Sequence, residues 1–446
     1  MTQQDFAIIF TGCNKLAFSV SSHVQRRVWH VRDDSPNADS AYVRRLNQVK
    51  ILNVIRERKS ISRADISKIT GLSPPTVTRV VGELIKPHGL AIEVGEGQPQ
   101  GGRPPVLIRF NAEQNLVIGI DLGTTHIYGV LSDLNGKVIS EIRIPTEVQT
   151  GATGVLRRVE IVARRLAEDS CVDAKRILGI GMAVAGLIDR DRKIVTFSPD
   201  FGWKNVEIRR TLSRSCDLPI IFDNVTRVMA LGELHYGVGK KFRNFVCVNV
   251  GHGIGSGIVI DGQVLYGAEG FAGEFGHFIL DKDSTTRCMC GNYGCLEALA
   301  SGRAIGVSAQ NALAEGRPSM LRQMCHNNLA TVSAEMVAAA AQQGDAVARE
   351  VFRQAMEYLG TGIAGLISLL NPQAVVVGGG VSQAGDLFFA GLREQIEKRV
   401  MNKRGRRVKI LPVTLGVRSA AMGAVSLILK EVLNLNLANC NARDAS

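Results

Sequence analysis

The sequence predicts an α/β protein that begins with a small, mainly helical module. Two observations predict this class. Apolar residues recur at helical spacing in three short segments between residues 43 and 84, and two alternating strands follow them. After Asn111, apolar strands that end in glycine alternate with helical stretches, which is typical of an α/β domain.

The composition excludes several classes of protein. The chain has 446 residues, of which 45% are hydrophobic and 21% are charged, and six of its nine cysteines are scattered without a pairing pattern. We find no cleavable signal and no run of about 18 apolar residues, so we expect a cytoplasmic protein that does not enter a membrane. The net charge is +12, and residues 41–110 carry 12 Lys and Arg against five acids. This excess predicts a polyanionic partner for the N-terminal module.

The module begins after an N-terminal extension, residues 1–40, that shows no periodicity and to which we assign no function. A first amphipathic helix is predicted from Val43 to Lys59. Ser62 is a suitable N-cap for a second helix, with Ile66 and Ile69 facing inward and Gly71 at its C-terminal end. A third helix begins with Ser73 as its cap and Pro74 in its first position, and its apolar positions are Val77, Val80, Val81 and Leu84.

The second and third helices, joined at Gly71-Leu72-Ser73, form a helix-turn-helix. Two strands, Ala91–Val94 and Val106–Phe110, flank a Gly/Pro-rich loop and add a wing. We therefore predict a winged helix-turn-helix DNA-binding domain over residues 41–110.

The early residues of the second helix of such a motif reach base edges in the major groove of DNA. Arg79 is the best candidate for a base contact, because a guanidinium can bind guanine through two hydrogen bonds. Arg103, between glycines and prolines, is a candidate for an adjacent minor groove. The alternative is a basic protein-docking module in which Arg79 is only a solvated charge. The predicted DNA-binding residues are Ser73, Thr76, Thr78, Arg79 and Arg103.

Three glycine-rich turns follow strands in the α/β region and could line an anion site with backbone amides. The first carries an acidic residue and a threonine beside its glycine, and the others are GHGIGSG and VVVGGGVS. Similar strands open near Gly119 and Val246, which allows an internal structural duplication. The alternative is that they are ordinary turns of an α/β protein. The candidate phosphate-binding residues, vestigial if catalysis is lost, are Asp121, Gly123, Thr124, Gly255 and Gly379.

One imidazole and three thiols, His277, Cys288, Cys290 and Cys295, lie within nineteen residues around a tight glycine turn. Zn²⁺ prefers such a tetrahedral set of nitrogen and sulfur ligands. Four protein ligands leave no position for an activated water, so we predict a structural zinc ion. The alternative is that the cysteines are buried small hydrophobes, which need no such turn.

These motifs together resemble the ROK family of sugar kinases and sugar-responsive repressors. The motifs that carry the resemblance are GIDLGT, SPDFGW, GHGIGSG, AGEFGH, CMCGNYGCLE and VVVGGGVS, and the preceding module with its GGRPP link resembles the repressor branch. The resemblance covers about residues 43 to 430.

The resemblance implies a two-lobed actin-like, or ribonuclease-H-like, domain over residues 111–435, followed by a C-terminal tail, residues 436–446. A hexose pocket would lie in the cleft between the lobes, beside the zinc. Carboxylates and amides suit this role because they bind vicinal hydroxyls and reject the wrong epimer. The implied sugar contacts are Asp200, Asn224, Glu274, His277 and Glu297.

Two departures from the family pattern bear on function. Kinases of the family carry an aspartate directly after this asparagine as the base for the sugar hydroxyl, and this chain has Val225 there. Valine cannot accept a proton. We expect the preceding Asp223 to face elsewhere, so no catalytic residue is assigned. The second departure is Asp200, where the family usually has asparagine.

We therefore interpret the chain as a homodimeric or homotetrameric transcriptional regulator, most simply a repressor of carbohydrate genes. Its expected partners are an operator in double-stranded DNA and a sugar or sugar phosphate. The expected cofactor is zinc, whereas ATP binding is left open. One alternative is a bifunctional ATP-dependent sugar kinase that also binds DNA. Another is regulation by a phosphotransferase-system protein instead of a small molecule.

Overall fold

The computed structural model describes residues 38–86, 89–98, 104–170, 172–189, 192–212, 218–401 and 405–432. Most of the predicted N-terminal extension and all of the predicted tail lie outside these ranges. No helix in the described ranges combines the length and apolar character that crossing a membrane requires.

The N-terminal module contains three helices and a three-stranded sheet. Its elements are α1 (Ala38–Glu57), β1 (Ile61–Ser62), α2 (Arg63–Thr70), α3 (Pro74–Ile85), β2 (Ala91–Glu96) and β3 (Val106–Phe110). β3 lies between β1 and β2 and is antiparallel to both. The four predicted apolar residues of α3 are all buried, which fixes this helix against the module core. The predicted helix-turn-helix and wing are thus present.

Two details of the module differ from the sequence prediction. Ile69 is 51% exposed, because the buried face of α2 is formed by Ile66 and Thr70 instead. β1 was not predicted, since its two residues are too short for a period-2 pattern. This strand adds a third strand to the wing sheet. It also places Ser62 at the N-cap of α2, where the Ser62 hydroxyl accepts a hydrogen bond from the amide of Asp65.

The α/β region contains two five-stranded sheets with the same topology. In each, three antiparallel strands are followed by two strands parallel to the first, and the orders are β6-β5-β4-β7-β11 and β14-β13-β12-β15-β16. The internal duplication that the glycine turns allowed is therefore present. The strands are β4 (Leu116–Leu122), β5 (His126–Asp133), β6 (Val138–Pro145), β7 (Ile177–Val184), β11 (Ile220–Asn224), β12 (Phe245–Val250), β13 (Ile254–Ile260), β14 (Gln263–Val264), β15 (Ala374–Gly378) and β16 (Lys409–Pro412).

A smaller antiparallel sheet extends the first lobe, and helices cover both lobes. Its strands are β8 (Leu187–Asp189), β9 (Ile194–Ser198) and β10 (Trp203–Val206). The helices are α4 (Gly151–Asp169), α5 (Ile208–Leu212), α6 (Val225–His235), α7 (Leu296–Ala300), α8 (Gly302–Ala314), α9 (Leu321–Met324), α10 (Ala334–Gln342), α11 (Ala346–Leu370), α12 (Asp386–Arg399) and α13 (Ser419–Val432).

Helices α6 and α13 form the layer between the two large sheets. One apolar cluster contains residues of both helices and of both sheets. Glycine residues permit the close approach of α13 to α6 and to the first sheet. A Cβ atom on Gly423 of α13 would lie 1.8 Å from the carbonyl oxygen of Val228 in α6, and one on Gly181 of β7 would lie 1.8 Å from that of Ala424. Side chains at these positions would force the helices and the sheet apart.

The DNA-binding module packs on this framework through one continuous apolar cluster. That cluster contains Ile51 and Ile55 of α1, Val117 of β4 and Val425 of α13. The central layer therefore touches both lobes and shares a core with the module.

We expect Gly423→Ala to destabilise the protein by about 1–3 kcal/mol, because the added methyl group overpacks the crossing of α6 and α13. Gly365→Ala is the matched control, since Gly365 is also helical but has open space around its missing side chain. The control should be neutral or stabilising by about 1 kcal/mol. Urea unfolding followed by circular dichroism measures both; equal midpoints for the two variants would contradict the assigned crossing.

Candidate functional site

The outer face of α3 carries the predicted DNA-reading residues. Ser73, Thr78 and Arg79 are exposed and Thr76 is partly exposed, whereas the opposite face of the helix is buried. Ser73 occupies the predicted N-cap position, but its hydroxyl contacts the Thr76 hydroxyl at 2.9 Å and caps no backbone amide. The first turn of α3 therefore presents two hydroxyl groups to the outside, which suits phosphate or base contacts, whereas Pro74 and Pro75 offer no amide donor.

Arg79 is held by a carboxylate on its own helix. Its Nη1 donates to Glu83 at 2.9 Å, and Glu83 also accepts from Arg44 and Gln48 of α1. The pKa of Glu83 is lowered; its burial opposes this shift, but hydrogen bonds from Gln48, Arg44 and Arg79 outweigh burial. The network aims the Arg79 guanidinium along the exposed face of α3. Arg103, the residue predicted to enter an adjacent minor groove, lies outside the described residues.

The predicted metal ligands are brought together on a loop between β14 and α7. Two isolated bridges, Ile279 with Cys295 and Arg287 with Tyr293, fold the loop back on itself. The turn inside it is closed by the amide of Cys288, which donates to Asn292 at 2.7 Å, and Gly291 adopts a φ of +100°. Only glycine adopts that backbone conformation readily, which explains the glycine between the second and third cysteines.

The four ligand atoms all lie within 4.8 Å of one another. Cys288 Sγ is 3.6 Å from His277 Nδ1, and Cys290 Sγ is 3.7 Å from Cys295 Sγ. Cys288 and Cys295 are buried, and the other two side chains are partly exposed. An arrangement of this size and chemistry could hold one tetrahedral ion.

Burial raises the pKa of the Cys288 and Cys295 thiols, and the neighbouring thiols add to the effect. Thiols in this setting stay protonated unless a cation stabilises the thiolate. Without a metal, the cluster is therefore poorly suited to act as a free nucleophile.

Two of the predicted sugar-binding residues, Glu274 and Glu297, lie directly beside this cluster, and a third, His277, belongs to it. Glu274 Oε2 is 4.0 Å from His277 Nε2, and Cys288 Sγ is 3.9 Å from Glu297 Oε1. Glu297 also accepts from the amide of Ile254 at 3.0 Å, which fixes its carboxylate over the start of β13. Burial raises the pKa of Glu274, as does the nearby charge of Glu297. Glu274 and His277 remain about 30% exposed, so both can reach a ligand.

Asn224 lies at the end of β11 and caps α6. Its Oδ1 accepts from the amide and hydroxyl of Thr226 at 2.9 and 2.7 Å, and its Nδ2 donates to the carbonyl of Gly186 at 3.0 Å. Asp200 lies on the turn between β9 and β10 and is partly exposed. Within the part of the chain that is described, Asp200 has no hydrogen bond to the other four predicted sugar contacts.

The residue after Asn224 is the first residue of α6, and it is Val225. The preceding Asp223 is 3% exposed, and its Oδ1 accepts from Arg227 Nε and Nη2 at 3.0 and 2.8 Å. Asp223 is thus turned into the protein, as expected from the sequence, and bound to a cation. Neither residue offers a free carboxylate to the cleft.

The predicted phosphate-binding turns are divided between the lobes. Burial raises the pKa of Asp121, at the end of β4, to about 7, so its carboxyl is often protonated near neutral pH. Gly255 packs against Thr226 of α6, where a Cβ atom would lie 2.6 Å from Thr226 Cγ2. Gly379 has a φ of +94° and no room for a Cβ beside Val250. The chain's own packing thus accounts for the last two glycines, with or without an anion.

Two buried charged residues of the site were missed by sequence reasoning. Arg227 is 1% exposed, and Glu233 is fully buried, although the sequence around them reads as an ordinary helix. Their i, i+6 spacing gives no motif. The one available signal was an aspartate four residues before an arginine, a common surface pattern that does not indicate burial.

Comparisons with known proteins give a consistent picture. Residues 117–431 match the model of the ROK family, and residues 44–86 match that of a winged helix-turn-helix DNA-binding domain. The chain is similar to the xylose repressor of Caldicellulosiruptor bescii, with 33% identity over 88% of this chain and 97% of that protein.

Two solved structures are also similar. One is a ROK family transcriptional regulator, a homolog of the E. coli MLC protein, with 30% identity, a TM-score of 0.75 and coverage of 88% of this chain and 97% of that one. The other is a ROK family glucokinase from Streptomyces griseus in complex with glucose and AMPPNP. It has 30% identity and a TM-score of 0.63, and it covers 70% of this chain and 99% of that one.

We expect Cys295→Ser to lower the metal content from about one ion per chain to a small fraction of it, because a hydroxyl is a poor substitute for a thiolate ligand. Cys325→Ser is the matched control: Cys325 is also a buried thiol, but it lies in the core of the second lobe. Elemental mass spectrometry of the purified proteins measures the metal. If the Cys295 variant retains a full equivalent, the four residues are not the metal ligands.

Proposed function

Because the chain belongs to the ROK family, we propose that it is a sugar-responsive, DNA-binding transcriptional repressor of carbohydrate-uptake or catabolic genes. The observation that carries the proposal is the combination on one chain of an exposed polar face on α3 and a domain that matches the ROK family and is similar to a ROK glucokinase. The similar xylose repressor and the similar regulator extend over the same two parts.

We further propose that the cleft binds its sugar without phosphorylating it. The position of the catalytic base is occupied by Val225, and the adjacent Asp223 is already bound to Arg227. A sugar hydroxyl at Asn224 would therefore find no free carboxylate at the residues on either side of Asn224 to accept its proton. The sugar contacts would be Asp200, Asn224, Glu274, His277 and Glu297, with a sugar or a sugar phosphate as the effector.

The metal in this account is a structural Zn²⁺ ion. In a tetrahedron with zinc–sulfur bonds of about 2.3 Å, two sulfurs are about 3.8 Å apart. The distance of 3.7 Å between Cys290 Sγ and Cys295 Sγ fits this value. With four protein ligands, the ion would brace the loop from His277 to Glu297 and supply no activated water. His277 would then bind zinc through one nitrogen while its other nitrogen faces Glu274 and the effector.

Regulation requires that the effector bind two conformations of the protein with different affinity. We propose that residues 41–110 form the DNA-binding domain and residues 111–435 the effector domain of a cytoplasmic homo-oligomer. A dimer would place two recognition helices about 34 Å apart, one turn of DNA, as a two-fold operator requires.

A second candidate function is a sugar kinase that also binds DNA. The turn from Asp121 to Thr124 favours it, as does the similarity to a glucokinase that was crystallised with glucose and AMPPNP. Val225 argues against a kinase, because phosphoryl transfer would lack a base that accepts the proton of the sugar hydroxyl.

We expect footprinting at moderate salt to reveal a sequence-specific operator, since non-specific phosphate binding is suppressed there. Arg79→Ala should weaken binding to this operator by about 1–3 kcal/mol. Arg353→Ala is the matched control, because Arg353 also pairs with a glutamate four residues later but lies on α11. Equal losses in the two variants, or no sequence preference in the wild type, would contradict the proposed role of α3.

We expect a neutral sugar such as D-xylose or D-glucose, or one of the corresponding phosphates, to raise the thermal unfolding midpoint, because it binds only the folded protein. The same sugars with ATP and Mg²⁺ should give no ADP release above background in a coupled assay. Sustained ADP release with any of these sugars would contradict the proposed sensor and favour the sugar kinase.

A further inference from the structure

The buried pair of Arg227 and Asp223 joins segments from both lobes at one point. Asp223 is the penultimate residue of β11 in the first lobe, and Arg227 lies in the first turn of α6. The Arg227 Nη1 donates to the carbonyl of Gly270 at 2.8 Å, and Gly270 belongs to the loop that follows β14 of the second lobe. The guanidinium therefore links the end of a first-lobe strand to a second-lobe loop.

The loop held by Arg227 leads directly into the pocket. It runs from Leu265 to Gly273, and the next residue is Glu274, with His277 three positions later. Among the described residues, the hydrogen bond from Arg227 is the one that ties the segment 267–271 to another element. Gly273, at the far end, is held by Ser256, whose amide and hydroxyl both donate to its carbonyl at 3.0 Å.

The loop also approaches the first lobe. A Cβ atom on Gly270 would lie 3.6 Å from the carbonyl oxygen of Ile188 in β8. The neighbouring residue Gly186 accepts the hydrogen bond from Asn224. Asn224 is thus bonded to a short stretch of the first lobe, and the tip of the loop lies close to the same stretch.

The chemistry of the pair allows it to hold two segments together. We call Arg227, with its bonds to Asp223 and to the carbonyl of Gly270, the clamp. A guanidinium offers five donors in a fixed plane, so it can bind the carboxylate through Nε and Nη2 while Nη1 holds a carbonyl. Asp223 Oδ1 also accepts a hydrogen bond from the backbone amide of Asn224 at 2.7 Å. One carboxylate oxygen therefore orients both Arg227 and Asn224, which is a predicted sugar-binding residue. Both side chains are at most 4% exposed, so water does not compete for these bonds.

We propose that Arg227 is a positioning residue for effector recognition, which holds the 265–273 loop across the cleft so that Glu274 and His277 meet the sugar in a preformed geometry. The inference rests on the proposed sugar-sensing function. It assigns to Asp223 the task of orienting Arg227, not of taking a proton. Preformed geometry raises affinity because the loop does not have to be ordered when the sugar binds.

The test compares variants that break the clamp in different ways. Arg227→Lys keeps the buried charge and can still pair with Asp223, but a single ammonium cannot reproduce the three-point geometry. The double variant Asp223→Leu with Arg227→Met removes the buried charges together, which avoids leaving one of them unpaired. Arg353→Lys is the control, since Arg353 makes an exposed pair at the same i, i+4 spacing.

For both clamp variants we expect folded protein with about one metal ion per chain and unchanged operator affinity in the absence of sugar. The affinity for the D-xylose or D-glucose probe, by calorimetry, should fall roughly tenfold or more, by analogy with metal sites, where loss of the groups that orient the ligands costs about 10–100-fold in affinity. Arg353→Lys should match the wild type. A folded variant of either kind that binds the sugar with wild-type affinity overturns the proposal.

A second readout needs no ligand and separates this inference from the proposed function. Amide hydrogen exchange of residues 265–273 should be faster in Arg227→Lys than in the wild type, with the rest of the second lobe unchanged. Equal protection in this segment overturns the clamp. If the loop exchanges faster but the wild type binds neither sugar nor operator DNA, the proposed function fails while the clamp remains.

Discussion

Helix α6 is the element on which the rest of the structure depends, because it runs from the predicted sugar ligand Asn224 to the margin of the N-terminal module. Its first turn is capped by Asn224 and contains Arg227. Near its other end, the fully buried Glu233 accepts hydrogen bonds from three backbone amides and two hydroxyls. These donors belong to Val238, Thr414, Leu415 and Ser419. A buried carboxylate satisfied in this way holds the helix rigidly against the start of α13.

The last residues of α6 face the DNA-binding module. Tyr236 belongs to the margin of the apolar cluster that contains Ile51 and Ile55 of α1. Burial lowers the pKa of His235 to about 3, and the positive charges of Arg56 in α1, Lys430 and Lys240 act in the same direction. His235 is therefore neutral at physiological pH. A displacement of α6 at the cleft would reach the module through packed side chains, without a change in charge.

The sequence predicted those parts of the molecule in which a local pattern determines structure. The buried face of α3, the wing, the metal-ligand cluster and the repeated glycine-ended strands all follow from spacing along the chain. Three features could not be predicted from spacing along the chain. Ile69 was expected inside because it fits the helical period, but α2 buries the face formed by Ile66 and Thr70, and Ile69 lies outside that face. β1 is too short to show a period. The contact of Arg227 with Gly270 joins residues 43 positions apart, and no local pattern encodes it.

The central claim is that the kinase-like cleft acts as a sensor for the DNA-reading module on the same chain. The most direct test is fluorescence anisotropy of labelled operator DNA at moderate salt, with and without a saturating concentration of a sugar that stabilises the protein. The account predicts that the dissociation constant for the operator changes at least about fivefold when the sugar is bound. An unchanged dissociation constant, under conditions where calorimetry shows the cleft to be saturated, would contradict it.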